Sequence, residues 1–113
     1  MKKIFYKDIK KILLREDLSA KSKSFYLKNP YTKVDSKFIN FLKKYSNKNK
    51  SCDVRICIHK DPKSEHHDML LFQRKKNYYA PHKHKYCGDT YHVIQGELAC
   101  FLFDEKGEIT YFC

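Results

Sequence analysis

The chain has 113 residues, 42% of them hydrophobic and 15% aromatic, with 24 Lys and Arg against 13 Asp and Glu and a formal net charge of +11. That length holds one compact domain with a modest core, and the apolar content excludes pervasive disorder. No run approaches the roughly 20 apolar residues of a membrane span. The charged start Met1-Lys2-Lys3-Ile4-Phe5-Tyr6-Lys7-Asp8 does not read as a secretory leader, so a cytoplasmic protein is expected.

The charge is unevenly spread. Residues 1–50 contain 15 Lys and Arg and 4 Asp and Glu, a net +11, whereas residues 51–113 contain 9 of each. A basic arm that binds nucleic acid or an acidic surface would look like this. So would the compositional drift of an A/T-rich genome. Lys outnumbers Arg 21 to 3, and sequence-specific readers favour Arg for bidentate base contacts, which makes nucleic acid the less favoured partner. The five cysteines (52, 57, 87, 100 and 113) form no CxxC pair and are odd in number, so reduced thiols are expected.

Along the chain, Ile4 to Leu14 carries apolar residues at roughly helical spacing, and Asn29-Pro30 marks a turn. Ser36 is placed to cap a short amphipathic helix in which Phe38, Ile39, Phe41, Leu42 and Tyr45 share one face. The polar run Ser46 to Ser51 reads as a linker or long loop. From Cys52 the pattern changes to short alternating runs, with Val54, Ile56 and Ile58 facing one way and Arg55, Cys57 and His59 the other. Further strand-like runs are expected at 68–73, 78–84, 90–94, 98–103 and 109–113. Gln95-Gly96-Glu97 and Asp104-Glu105-Lys106-Gly107 form turns between the later ones. This predicts a basic, partly helical segment over 1–50 and an antiparallel β domain over 51–113.

The chemistry concentrates between Pro81 and Gly96. On a strand, His82 and His84 project from the same face, about 7 Å apart. A turn after them would bring the carboxylate of Asp89 close to both rings. Two imidazoles and a carboxylate form a facial set for Fe(II), Mn(II), Ni(II) or Zn(II), with positions left open for water or substrate. His59, on the polar side of its strand, is either a further ligand or a polar group bonding a neighbouring strand. His66 and His67 sit beside a turn and read as solvated, and His92 as structural. Arg55 and Tyr91 either contact a substrate anion or pack.

His82-x-His84, four residues, Asp89, six residues and Gly96 resembles the first cupin motif, with Asp89 where cupins usually carry Glu. Arg55-Ile56-Cys57-Ile58-His59, Met69-Leu70-Leu71, Pro81-His82-Lys83-His84, His92-Val93-Ile94-Gln95-Gly96 and Phe103-Asp104-Glu105-Lys106-Gly107 together resemble WbuC-type cupin-fold metalloproteins over roughly residues 46–113. The resemblance implies a cupin (jelly-roll type) barrel, a bound divalent metal and a role in bacterial cell-surface polysaccharide biosynthesis of the O-antigen type. The motif's leading Gly is missing, and no second cupin motif follows Gly96. A shortened member with an incomplete barrel is therefore expected, and a homodimer pairing sheet edges would cover its apolar end at Thr110–Cys113.

Three functions are consistent with this reading. The first is a metal-dependent enzyme acting on a sugar or sugar nucleotide by isomerase- or epimerase-like chemistry, with the metal as Lewis acid. The second is a non-catalytic module that binds a sugar or small anion. The third is a binder of nucleic acid or acidic surfaces acting through the basic first half.

Overall fold

The computed structural model describes residues 6–85 and 88–113; Cys87, in the spacer between the expected ligands, lies outside the described residues. The protein is mainly β, with two sheets and one short helix. Its elements in order are a helical turn α1 (Tyr6–Asp8) running into a π-helical turn (Ile9–Leu13), β1 (Leu14–Glu16), β2 (Lys23–Leu27), α2 (Ser36–Lys48), β3 (Val54–Cys57), β4 (Met69–Phe72), β5 (Phe101–Phe103) and β6 (Ile109–Phe112). β1–β4 form one sheet in that order, and β5 pairs with β6 in a second. The chain divides into two compact units, residues 1–77 and 78–113.

In the first unit, α2 follows from its sequence pattern. Asp35, rather than the expected Ser36, caps it, its Oδ1 accepting from the Lys37 amide at 3.2 Å, and Ser36 is the first helical residue. Phe38, Phe41, Leu42, Tyr45 and Ser46 recur at helical spacing and are buried. The polar run expected to be a linker closes this helix instead. The amides of Asn49 and Ser51 both donate to the Ser46 carbonyl, at 3.1 and 2.9 Å, and Lys50 and Ser51 take positive φ. Ser46 Oγ donates to the Cys52 carbonyl at 2.6 Å and accepts from Arg74 Nε at 2.9 Å, so the turn is fastened to the end of β4.

The helix carries the chain from β2 across to β3, and these two strands pair in parallel, Phe25 opposite Ile56 and Tyr26 opposite Cys57. A parallel pair needs such a crossover, whereas the two pairs within residues 51–113, β3–β4 and β5–β6, are antiparallel. The pairing also ties residues 23–27 of the basic half to residues 54–57, so both sides of the polar run share one sheet. On the helix side, Phe25, Val54 and Ile56 pack with Leu14, Phe38, Phe41, Leu42 and Tyr45 into the core. The rings of Phe41 and Tyr45 lie 5.4 and 5.1 Å from that of Phe25, both near-perpendicular. Ser24, Tyr26, Arg55, Cys57, Met69 and Leu71 share the other side of the sheet by register.

In the second unit, β5 and β6 form an antiparallel hairpin at the turn expected from its residues. Asp104 Oδ1 accepts from the amides of Lys106 and Glu108, both at 2.9 Å, and Gly107 supplies φ +85°. Thr110 is the extra residue of a bulge between the Leu102–Tyr111 and Phe103–Ile109 pairs. The runs 78–84 and 90–94 have strand-like composition but no paired neighbour among the described residues, so they are irregular chain rather than strands. Among the described residues the sheets do not close into a barrel. No helix there is long and apolar enough to cross a membrane.

Candidate functional site

The expected site residues fall into two groups, one in each unit. In residues 78–113, His82, His84, Asp89 and Tyr91 come together. The imidazoles of His82 and His84 are 5.0 Å apart, edge to face. His84 Nε2 lies 2.9 Å from Asp89 Oδ2, and the Tyr91 hydroxyl donates to the same oxygen at 3.3 Å. His82 Nδ1 donates to the Ala80 carbonyl at 3.1 Å, which leaves the lone pair on Nε2 for a ligand. Lys83 Nζ, 3.1 Å from Glu105 Oε1, fastens this segment to the β5–β6 turn. Burial, with the neighbouring Asp89 charge adding to it, pushes the Tyr91 phenol up from its ordinary value.

This donor set suits a divalent first-row metal. The His84–Asp89 spacing of 2.9 Å is that of a direct hydrogen bond, and a metal with bonds of about 2.0–2.2 Å to both atoms would replace the shared proton. His82 is adjacent, but among the described residues no three His, Cys, Asp or Glu side chains gather at metal-binding distance. The side chains of His84 and Asp89 are 47% and 38% exposed, so the pair sits open to water.

His59 and Arg55 belong to the first unit. Arg55 Nε donates to Ser24 Oγ at 2.6 Å across the β2–β3 pair. His59 Nδ1 donates to the Asp68 carbonyl at 3.1 Å, its ring stacks on His67 at 4.1 Å, and it meets Tyr26 edge-on at 5.6 Å. Desolvation, with the charges of His67 and Arg55 adding to it, holds the His59 imidazole below its usual range. Burial likewise pushes the Cys57 thiol up. These residues line a cavity of about 290 Å³ on the side of the sheet away from α2, together with Asp17 from the β1–β2 turn.

His67 is exposed, as expected, and its ring is one half of a stacked imidazole pair with His59. Asp17 and Tyr26 carried no signal for this site in the sequence. They belong to the β1–β2 hairpin, which the parallel β2–β3 pairing sets beside Arg55 and Cys57. Part of the basic charge of the first half also has a structural place. Lys10 Nζ lies over the rings of Phe25 and Tyr45 at 5.9 and 5.7 Å, and Lys48 Nζ over Tyr6 at 4.4 Å.

Among protein families, residues 34–112 match a model described as Domain of unknown function (DUF6016). The match takes in α2, β3, β4 and the whole β5–β6 hairpin. No curated protein and no solved structure matches the chain.

Proposed function

Starting from a chain that belongs to the DUF6016 family, we propose that it is a divalent-metal-binding protein of cupin type, with His82, His84 and Asp89 as ligands. The observation that carries this reading is the His84–Asp89 contact at 2.9 Å beside the His82 ring, within the spacing of the first cupin motif. The Ala80 carbonyl orients His82, and Tyr91 orients Asp89. The metal supplies Lewis acidity when bound, and Fe, Mn, Ni and Zn all suit two imidazoles and a carboxylate. The WbuC-type resemblance, with a shortened cupin barrel over residues 51–113, belongs to the same proposal. So does a cytoplasmic role in bacterial surface-polysaccharide synthesis, acting on a sugar or sugar nucleotide, as does a homodimer formed through sheet edges.

The openness of the His84–Asp89 pair favours a second version, in which the module binds its ligand without turnover. Closing a site expels water and strengthens the electrostatic interactions inside it, and this pair has no such enclosure among the described residues.

The test is titration of the metal-free chain with Co(II), followed by its visible absorption. The unaltered protein should bind one equivalent. Asp89→Glu, which adds the methylene that lets the carboxylate reach further, should bind at least as tightly. Asp89→Ala should weaken binding by about tenfold or more. Equal affinity in Asp89→Ala and the unaltered chain would remove Asp89 from the ligand set.

A further inference from the structure

The cavity in the first unit has a composition of its own. Its residues lie within residues 17–69, so it stands apart from the metal reading and can fail or succeed without it. At about 290 Å³ it lies near the lower end of small-molecule sites, roughly 300–1,000 Å³. Its floor is the side of the sheet that α2 does not cover, where Tyr26, Arg55 and Cys57 line up across β2 and β3. Pro62 and Met69 supply an apolar wall.

Arg55 is half-buried there. Its Nε is committed to Ser24 Oγ, and among the described residues its guanidinium makes no ion pair. A guanidinium withdrawn from water with no carboxylate partner has an unmet preference for an oxyanion, and its remaining N–H groups match one in fork geometry. The cavity also contains acceptors. Asp17 Oδ1 takes the amide and hydroxyl of Ser19, at 3.0 and 2.6 Å, and its second carboxylate oxygen has no partner among these bonds. His59 uses Nδ1 on the Asp68 carbonyl, so its Nε2 accepts in the neutral ring. One unpaired cation and two acceptors select a ligand with a negative end and hydroxyl groups.

We propose that this cavity binds a small polyhydroxylated oxyanion, a phosphate ester or a hydroxy acid, with the anion on Arg55 and ligand hydroxyls on Asp17 and His59. Asp17 then serves as a specificity element. Its charge repels a bare anion and rewards one that brings hydroxyl donors.

The experiment follows the amide and side-chain resonances of the full chain by NMR, at constant ionic strength, during titration with glycerol 3-phosphate, glycerate and inorganic phosphate. Saturable shifts are expected at Asp17, Arg55, His59 and His67. At least one hydroxylated probe should bind about threefold or more tighter than inorganic phosphate. The tighter of the two identifies the anionic group as phosphate or carboxylate. Arg55→Gln, checked as folded by its spectrum, should weaken binding about tenfold or more. Asp17→Asn tests the idea independently of Arg55, and should narrow the preference for the hydroxylated probe by improving binding of inorganic phosphate. Shifts spread linearly over surface lysines, an affinity unchanged in Arg55→Gln, or equal affinity for all three probes would each overturn the assignment.

Discussion

The two units of this protein use similar side chains in opposite ways. In residues 6–77, Phe25, Phe38, Phe41, Tyr45, Val54 and Ile56 are buried under α2. In residues 78–113 the aromatic and aliphatic side chains of β5 and β6 are exposed, Phe112 to 69%, and Phe101 and Phe112 stack on each other at 6.0 Å. A lone two-stranded sheet cannot bury either of its faces, and three or more strands or a packed helix are needed for a core. α2 provides that second layer in the first unit. The lesson is that apolar content alone does not locate a core; the presence of an element to cover the sheet does.

The largest expected difference follows directly. Phe25→Ala, at a fully buried central position, should cost about 3–5 kcal/mol in urea unfolding. Phe112→Ala should cost under about 1 kcal/mol, as exposed substitutions usually do. Similar costs at the two positions would show that the second unit's apolar side chains are as deeply packed as the first's. Thiol labelling sharpens the same contrast. Cys57 is 2% exposed and its thiol is pushed up by burial, whereas Cys113 is exposed. A thiol reagent at neutral pH should modify Cys113 well before Cys57, which it should reach only on unfolding, as mass spectrometry of the labelled chain would show.

Asp35→Ala removes the α2 cap and should cost about 1 kcal/mol, read from the urea midpoint. The smallest effect is on pH. His59 is held below its usual range in the folded chain by desolvation first, then by His67 and Arg55. The unfolded chain, with an ordinary histidine near 6.5, therefore binds a proton that the folded chain resists. The stability from neutral His59 is fully present above about 6.5 and is lost as the pH falls from there through the lower folded value. His59→Gln should flatten that slope in urea midpoints measured between pH 7.5 and 5; an unchanged slope would assign the effect to another group.

How much of this was legible in the sequence depended on how local each feature is. Helix α2 and the Asp104–Gly107 turn were legible because their signals, apolar spacing and turn chemistry, lie within a few residues. Strand β2 was not. Ser24, Phe25 and Tyr26 are all buried, because this central strand is covered on one side by the core and on the other by the cavity residues, so the half-buried alternation never appears. The runs 78–84 and 90–94 failed in the opposite sense, with strand composition but no partner strand. The His82–His84–Asp89 group was visible as a motif because its members lie within eight residues. The Arg55 cavity was not visible, since β1–β2, β2, β3 and the loop before β4 each supply part of it.

The central claim, a divalent metal at His82, His84 and Asp89, is tested most directly by the metal content of the purified chain. Inductively coupled plasma mass spectrometry would be run on it beside a folded His82→Ala/His84→Ala double variant. Near-stoichiometric metal in the first and its loss in the second is the predicted result. Equal metal in both, or none in either, would contradict the claim.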